Sequence, residues 1–390
     1  MKSKQKVYVG MSGGVDSSLA AALLVEQGYD VTGAYMKNWS QDLPGVKCPW
    51  AEDLADAKRV AVQLGIDFKV FDFEKEYKQK VVNYMIDEYK AGHTPNPDIM
   101  CNQEVKFKLF LNAALDDGAD MIATGHYARV CNKETEKLAS ISSERLRAAS
   151  DESPDVLSNS GCRCSSKTDA NSSAGVLLKA VDDNKDQTYF LYRITGEALA
   201  RTLFPIGGFT KPEVRKMAEE RGLTTAVKKD SQGICFVGQV GIREFLSQYV
   251  DLKIGDIVDK QTGKVLGHHD GAIFYTLGQR HGLDIGGGLP YYVVGKNMDK
   301  NEVYVSTDLN DNSLWQNTVQ LQNIHWINEV PKNGEYQIRS RHRAPLVNAE
   351  MELKGDIVNL KLDDPQRAFA SGQSVVIYDD QICLGGGIIV

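Results

Sequence analysis

The chain has 390 residues and a mass of 43.1 kDa, with 42% hydrophobic and 25% charged residues, enough for about two to four soluble domains. Its net charge of −7 and pI of about 5.6 exclude bulk electrostatic attraction to nucleic acid but leave local basic patches open. Seven scattered cysteines, an N-terminus that enters a strand at once and the lack of any run near the ~18 apolar residues of a membrane span predict a reduced, cytoplasmic protein.

In chain order, Lys6 to Met11 reads as a short buried strand and Asp30 to Met36 as a second. Between them Val15, Leu19, Ala22 and Leu23 recur at helical spacing, as do Leu54, Ala57, Ala61 and Leu64. Asp67–Phe73 and Asp120–Thr124 are further strands, and Phe107, Phe110, Leu111, Ala114 and Leu115 mark a further helix. Alternation of this kind predicts a doubly wound parallel α/β sheet, with chemistry in the loops after Met11, Met36 and Thr124. Residues 139–175 break the pattern: 11 of the 37 are Ser, which reads as a surface insertion. Cys162 and Cys164 within it would need two further ligands to hold a metal, and read more simply as incidental surface thiols. Residues 201–230 turn helical and basic, with seven basic side chains against four acidic ones. Beyond about 255, short alternating runs such as Tyr291–Gly295, Val303–Ser306 and Val375–Tyr378 predict an all-β barrel or sandwich.

Three local patterns carry chemistry. Gly10-Met11-Ser12-Gly13-Gly14-Val15-Asp16-Ser17-Ser18 runs from a strand into a helix expected to start near Asp16. Glycines allow close backbone approach, and N–H groups at a helix start make an anion cradle; Asp16 and Ser17 also suit a plain N-cap. In Thr94-Pro95-Asn96-Pro97-Asp98-Ile99-Met100-Cys101-Asn102, two prolines predict a stiff loop, with Cys101 just before the next helix. A thiol there is activated by the helix start, and Asp98 is close enough to move a proton. In Lys228-Lys229-Asp230-Ser231-Gln232-Gly233-Ile234-Cys235, two lysines favour the Cys235 thiolate. A buried, inert cysteine is the plainer alternative at both positions. Arg339, Arg341 and Arg343 alternate, so on one strand they would share a face toward phosphates, or simply solvate a strand edge.

The spacing S-G-G-x-D-S-S resembles the PP-loop of the N-type ATP pyrophosphatases and lacks the Gly-Lys-Ser/Thr of a Walker loop. With NPD-x-x-CN at 96–102, ATGHYAR at 123–129, DNKDQTYFLY at 183–192, FPIG at 204–207, KKDSQGICFVG at 228–238 and LGQRHGLDIGG at 277–287, the chain resembles the bacterial tRNA-specific 2-thiouridylases. The Ser-rich insertion departs from that pattern. The resemblance implies a PP-loop domain over 1–204, with the insertion at about 132–175, a central domain over 205–270 carrying a persulfide cysteine, and a C-terminal β-barrel over 271–390. It implies a tRNA-uridine 2-sulfurtransferase: ATP adenylates the oxygen on carbon 2 of the wobble uridine, and a cysteine persulfide replaces it with sulfur. Gly10, Met11, Ser12, Gly13, Gly14, Val15, Asp16 and Ser17 would hold ATP phosphates, and Met36 and Gly125 its adenosine. Cys101 would be the nucleophile, Cys235 the persulfide carrier and Asp98 an acid/base, with a Cys101–Cys235 disulfide left after turnover. Asn96, Pro97 and Asp98 would touch the target base. His126, Lys185, Asp186, Gln187, Arg341, His342 and Gln373 would contact tRNA. Mg²⁺ is expected with ATP, without a dedicated ligand cluster. The implied partners are tRNAs for Lys, Glu and Gln and a persulfide donor, either a cysteine desulfurase or a sulfur-relay protein. Other readings are a PP-loop ligase or amidotransferase, in which both cysteines lack a role, and a sulfur-carrier or RNA-binding module with a dead nucleotide site.

Overall fold

The computed structural model describes residues 4–42, 48–133, 135, 174–229, 242–286, 288–308, 310–311, 314–367 and 369–390. Strand β1 (Lys6–Gly10) is buried along four of its five residues, and β4 (Met121–Thr124) along all four. Such unbroken apolar runs suit parallel strands covered on both faces. Both belong to a parallel sheet of order β3-β2-β1-β4-β7, with β2 at Asp30–Lys37, β3 at Asp67–Asp72 and β7 at Thr202–Leu203. The chain leaves β1 toward β2 on one side and later returns to β4 on the other. The topological switch point therefore falls between the carboxyl ends of β1 and β4.

Helix α1 (Val15–Glu26) has nine of its twelve residues buried. Its Ala20, Ala21 and Ala22 share a core with Val7, Val9, Val214 and Ala218. Helix α2 (Trp50–Leu64) buries the narrower stripe Ala57, Val60 and Ala61. Of the basic 201–230 segment, Lys211–Glu220 is a long helix, opened by a capping box between Thr210 and Glu213. The opposite face of the sheet carries helical runs over 74–90 and 97–116.

Strands β8 (Gly255–Asp259), β9 (Val265–His269), β10 (Tyr292–Asn297) and β11 (Glu302–Ser306) form one sheet of order β10-β11-β8-β9. This sheet straddles position 270, where the expected central domain gave way to the barrel. Strands β12 (Trp315–Trp326), β13 (Gly334–Arg339), β14 (Val347–Lys354), β15 (Ile357–Arg367), β16 (Ser374–Asp379) and β17 (Ile382–Ile389) close a six-stranded antiparallel barrel. Pairing of β12 with both β15 and β17 completes the ring. The hairpin of β5 (Arg129–Cys131) and β6 (Val176–Leu178), which flanks the insertion, adds to this sheet through β17. The loop before Asn96 joins all three units. Thr94 N–H donates to Ser371 O of the barrel at 2.9 Å, and the hydroxyls of Thr94 and Thr276 lie 3.3 Å apart.

Candidate active site

The phosphate loop leaves β1 at the switch point. Its Gly13 has φ +73°, and a Cβ there would lie 2.4 Å from Asp53 O, so only glycine lets the loop lie against α2. Gly14, rather than Asp16 or Ser17, is the N-cap, and it has no side-chain cap. The Ser18 hydroxyl turns back to Gly14 O at 2.7 Å, and Ser12 N–H donates to Ser17 Oγ at 3.1 Å. Met11 and Val15 are core residues; their contribution to a phosphate cradle is through the backbone. Met36 lies against Gly10, where a Cβ would stand 3.0 Å from its methyl group. Gly125, in the loop after β4, faces the first turn of α1 so closely that a Cβ would be 2.6 Å from Ser17 N. The two loops of the switch point thus touch.

Asp16 accepts from Lys211 Nζ at 2.7 and 2.9 Å and from the Tyr127 hydroxyl at 3.0 Å. Lys211 is 8% exposed and comes from the capping turn of the Lys211–Glu220 helix. In the sequence Lys211 stands out only as one of the seven basic side chains of residues 201–230. The capping box was the available signal: it puts the lysine at the first helical position, with its stem free to reach back along the core.

The prolines do not exclude a helix at 97. Asn96 is an N-cap whose Oδ1 accepts from the N–H groups of Asp98 and Ile99, and Pro97 occupies the first turn, where its missing N–H costs nothing. The helix then runs on through widened i→i+5 turns over Cys101–Phe110. Cys101 therefore sits inside the helix, not before it. Its backbone N–H is already bonded to Pro97 and Asp98 carbonyls. The residue is fully buried in a cluster with Trp39, Met85, Val105 and Phe245. Asp98 is half-buried in the first turn.

The same helix is tied to the switch point. Lys106 Nζ approaches His126 Nε2 at 3.4 Å, while His126 Nδ1 and Thr124 Oγ1 are 2.7 Å apart. An ammonium has no acceptor, so Nε2 receives and Nδ1–H donates to Thr124. Burial, and then the Lys106 charge, hold His126 well below the ordinary histidine range, so it is neutral. Its ring packs against Phe107 and Phe204 and is 8% exposed. His126 therefore supports the loop from within.

The DNKDQTYFLY segment grips the barrel. Asp186, 1% exposed, accepts from Arg339 Nη1 at 2.7 Å and from the Thr188 hydroxyl at 2.8 Å. Gln187 exchanges two 2.8 Å bonds with the backbone of Tyr127. The hydroxyls of Tyr189 and Tyr192 reach Ser374, at 3.0 Å to its carbonyl and 3.1 Å to its hydroxyl. Lys185 is half-buried.

The three arginines do not share a face. Arg339 ends β13 and is buried on Asp186, whereas Arg341 and Arg343 lie in the following bend, with Arg343 at φ +64°. Arg341 is exposed. The His342 ring lies 4.6 Å from that of Phe190, tilted by 44°, and burial, with Arg343 and Arg339 nearby, pushes His342 down to about 4. Gln373 closes its own turn, taking Ala370 N–H at 3.4 Å.

Cys235 and the Cys162/Cys164 pair lie outside the described residues. Lys228, expected to favour a Cys235 thiolate, is held by Asp53 at 2.8 Å and Asp56 at 2.6 Å; its charge is already compensated. Among the described residues Cys48, Cys101 and Cys383 are outside any disulfide, and Cys131 is disulfide-bonded. No helix among them is long and apolar enough to cross a membrane.

Three family models match the chain in order: a "tRNA methyl transferase HUP domain" over 5–239, a "tRNA methyl transferase PRC-barrel domain" over 243–307 and an "aminomethyltransferase beta-barrel domain" over 316–389. Proteins named tRNA-specific 2-thiouridylase MnmA from Bacillus cytotoxicus and Bacillus thuringiensis are each 42% identical to this chain over 388 residues, 98% of it and 94% of their own length. The solved NMN synthetase of Francisella tularensis matches with a TM-score of 0.32 and 14% identity, over 61% of this chain and 69% of that one. That likeness is too remote to bear on function.

Proposed function

The chain belongs to the tRNA-specific 2-thiouridylase family, and from that premise we propose that it replaces the oxygen on carbon 2 of the wobble uridine of tRNA with sulfur, converting ATP to AMP and pyrophosphate. The observation that carries the reading is the physical join between the phosphate loop and the Asp98–Cys101 helix. Gly125 lies on Ser17, and the next residue, His126, meets Lys106 of that helix.

The residues present fit ATP. Gly13 lets the loop lie against α2, the start of α1 supplies N–H donors, and in this reading Met36 and Gly125 border the adenosine side. Lys211 orients Asp16 beside the cradle and adds a positive charge where pyrophosphate must leave. Mg²⁺ would accompany the phosphates and neutralise the leaving group; Asp16 is the carboxylate at hand. Asn96 and Pro97 fix the start of the helix, so that Asp98 meets the target base at a set height and moves its proton. A uridine oxygen is a poor leaving group, and adenylation makes it a good one. The terminal sulfur of a Cys235 persulfide then attacks carbon 2, the C–O bond breaks and AMP departs. Attack by the Cys101 thiolate on the Cys235 sulfur breaks the S–S bond, leaving 2-thiouridine and a Cys101–Cys235 disulfide for an external reductant. Since Cys101 is fully buried, this step requires the cluster around it to open.

For the RNA, Lys185, Arg341, His342 and Gln373 line its path in this reading, while His126, Asp186 and Gln187 hold that path in shape from within. A tRNA with a wobble uridine (Lys, Glu or Gln), ATP and a persulfide donor, a cysteine desulfurase or relay protein, is the test mixture for a cytoplasmic enzyme of this kind. Mass spectrometry of the digested tRNA should find 2-thiouridine at the wobble position only when ATP is present. ATP–pyrophosphate exchange without any thiolated product would instead favour a PP-loop ligase.

A further inference from the structure

Arg367 ends β15 at the rim of the barrel, opposite Trp315 of β12. Its guanidinium lies 4.4 Å from the ring centre of Tyr292, on β10 of the central sheet, so the side chain bridges two units of the protein. Its Nε and Nη2 are buried and have no hydrogen-bond partner, and among the described residues no carboxylate pairs with it. Three other arginines each have an acceptor for at least one guanidinium nitrogen. Arg339 has Asp186 at 2.7 Å, Arg221 has Glu26 at 2.7 Å, and Arg193 has Gln103 at 2.6 Å. A buried cationic donor without an acceptor is costly, because it has lost water and gained nothing in return.

The location says which acceptor. After β15 the chain turns at 369–373, and that turn rests on the loop leading to Asn96. Ser371 O takes Thr94 N–H at 2.9 Å, and a Cβ on Gly372 would be 2.7 Å from His93 Cβ. From the other side, Val293, next to Tyr292, accepts from Gly278 N–H at 2.8 Å, close in sequence to the Thr276 hydroxyl that meets Thr94. Both partners of the Arg367–Tyr292 stack therefore lead into the loop at which the target base is held.

We propose that Arg367 is a binding site for a phosphate of the RNA backbone next to the nucleotide held at Asn96–Asp98. The inference rests on the tRNA reading above and adds a contact that neither motif spacing nor charge clustering pointed to. A phosphate offers the acceptor oxygens that the fork of Arg367 lacks, and stacking on Tyr292 holds the fork in place before RNA arrives. Nε and Nη2 are covered in the free protein, so RNA binding must displace what covers them before the phosphate relieves the unpaired charge.

The test uses the full chain and an anticodon stem-loop RNA bearing a wobble uridine. Binding is followed by fluorescence anisotropy over a range of salt for wild type, Arg367→Gln and Arg367→Lys, with the melting temperature of each free protein. Arg367→Gln should bind more weakly and flatten the dependence of log K on log salt by about 0.7, one single-strand phosphate. Its melting temperature should be unchanged or higher, since an unpaired buried charge is gone. Arg367→Lys should keep the salt slope and lose only part of the affinity. A wild type that binds, with an Arg367→Gln variant of equal affinity and slope, overturns the proposal. So does a variant that melts well below wild type at unchanged slope, which would make Arg367 a structural prop. A wild type that fails to bind the RNA overturns the functional reading itself, a different outcome.

Discussion

Around the phosphate loop, polar groups answer one another within the chain. Ser12 N–H meets Ser17 Oγ, Ser18 Oγ meets Gly14 O, and Asp16 takes both Lys211 and Tyr127. At the rim of the barrel and the helix facing it they do not: Asn102 Oδ1, His342 Nδ1, Arg339 Nε, and Nε and Nη2 of Arg367 are buried without partners. A small nucleotide enters a cradle whose shape must exist beforehand, so the cradle is braced from inside. A tRNA brings its own acceptors and donors, and in this reading it completes these covered groups by displacing what lies over them. Asn102 shows the division within one side chain: its Nδ2 bonds Phe190 O at 3.0 Å while its Oδ1 has nothing.

The largest effects should come from the cysteines, which neither kind of bracing protects. Cys235→Ser should load no sulfur from a persulfide donor. Cys101→Ser should load sulfur and still adenylate tRNA, yet fail to turn over. Radiolabelled sulfur followed by peptide mapping of unreduced enzyme separates these defects. Full turnover by Cys101→Ser would show that its buried position is purely structural.

Next come residues that brace the nucleotide end. Lys211→Ala and Asp16→Ala should each slow pyrophosphate release by roughly a hundredfold, the usual cost of one electrostatic contact to a leaving group, with RNA affinity unchanged. Gly125→Ala should do likewise, because its Cβ would press on Ser17 N, a backbone atom that cannot swing aside. Weakened RNA binding in these variants would mean that the two ends are not separately built.

Smaller in its effect on chemistry, but large for stability, is the clamp between segment and barrel. Asp186→Ala leaves Arg339, 5% exposed, without its carboxylate. Breaking a buried pair from one side costs about 3–5 kcal/mol. Urea unfolding should show that loss, and an Asp186→Leu/Arg339→Met double variant should recover most of it. A double variant as unstable as the single one would mean that the hydrogen bonds of Asp186 to Thr188 and Ala180 matter more than the charge.

The nucleotide end was largely legible in the sequence because its geometry is local. Strand, glycine turn and helix follow one another from Lys6 to Glu26, and apolar spacing located each element to within a residue or so. Two prolines two residues apart read as a loop, yet Pro97 at the first turn and Asn96 as cap are helix-starting signals. The capping box places Lys211 at a helix start but does not name its partner Asp16, 195 residues away, and nothing local pairs Arg339 with Asp186, 153 residues away. Alternation suggested that Arg339, Arg341 and Arg343 share a strand face, but β13 stops at Arg339 and the bend after it turns the other two aside. Pairings set by tertiary closure have no sequence period to betray them.

The smallest expected effect tests the open end most directly. In the free protein, burial together with Arg343, Arg339 and Lys185, against the attraction of Asp186, holds His342 down to about 4, where an unfolded histidine has about 6.5. The unfolded chain therefore binds the proton first. The stability contributed by neutral His342 is full above pH 6.5 and is lost as pH falls from there toward 4. Burial holds His126 low as well, so wild-type stability should fall through this window, and His342→Gln should remove only its own share. RNA phosphates beside His342 act in the opposite sense: they favour the charged ring and raise its pKa. Affinity for the anticodon stem-loop should thus rise as pH is lowered from 7 to 5.5, with proton uptake that His342→Gln abolishes. Calorimetry in two buffers of different ionisation enthalpy measures that uptake. Equal uptake in wild type and variant would move the RNA away from His342 and leave its unpaired Nδ1 without a substrate to complete it.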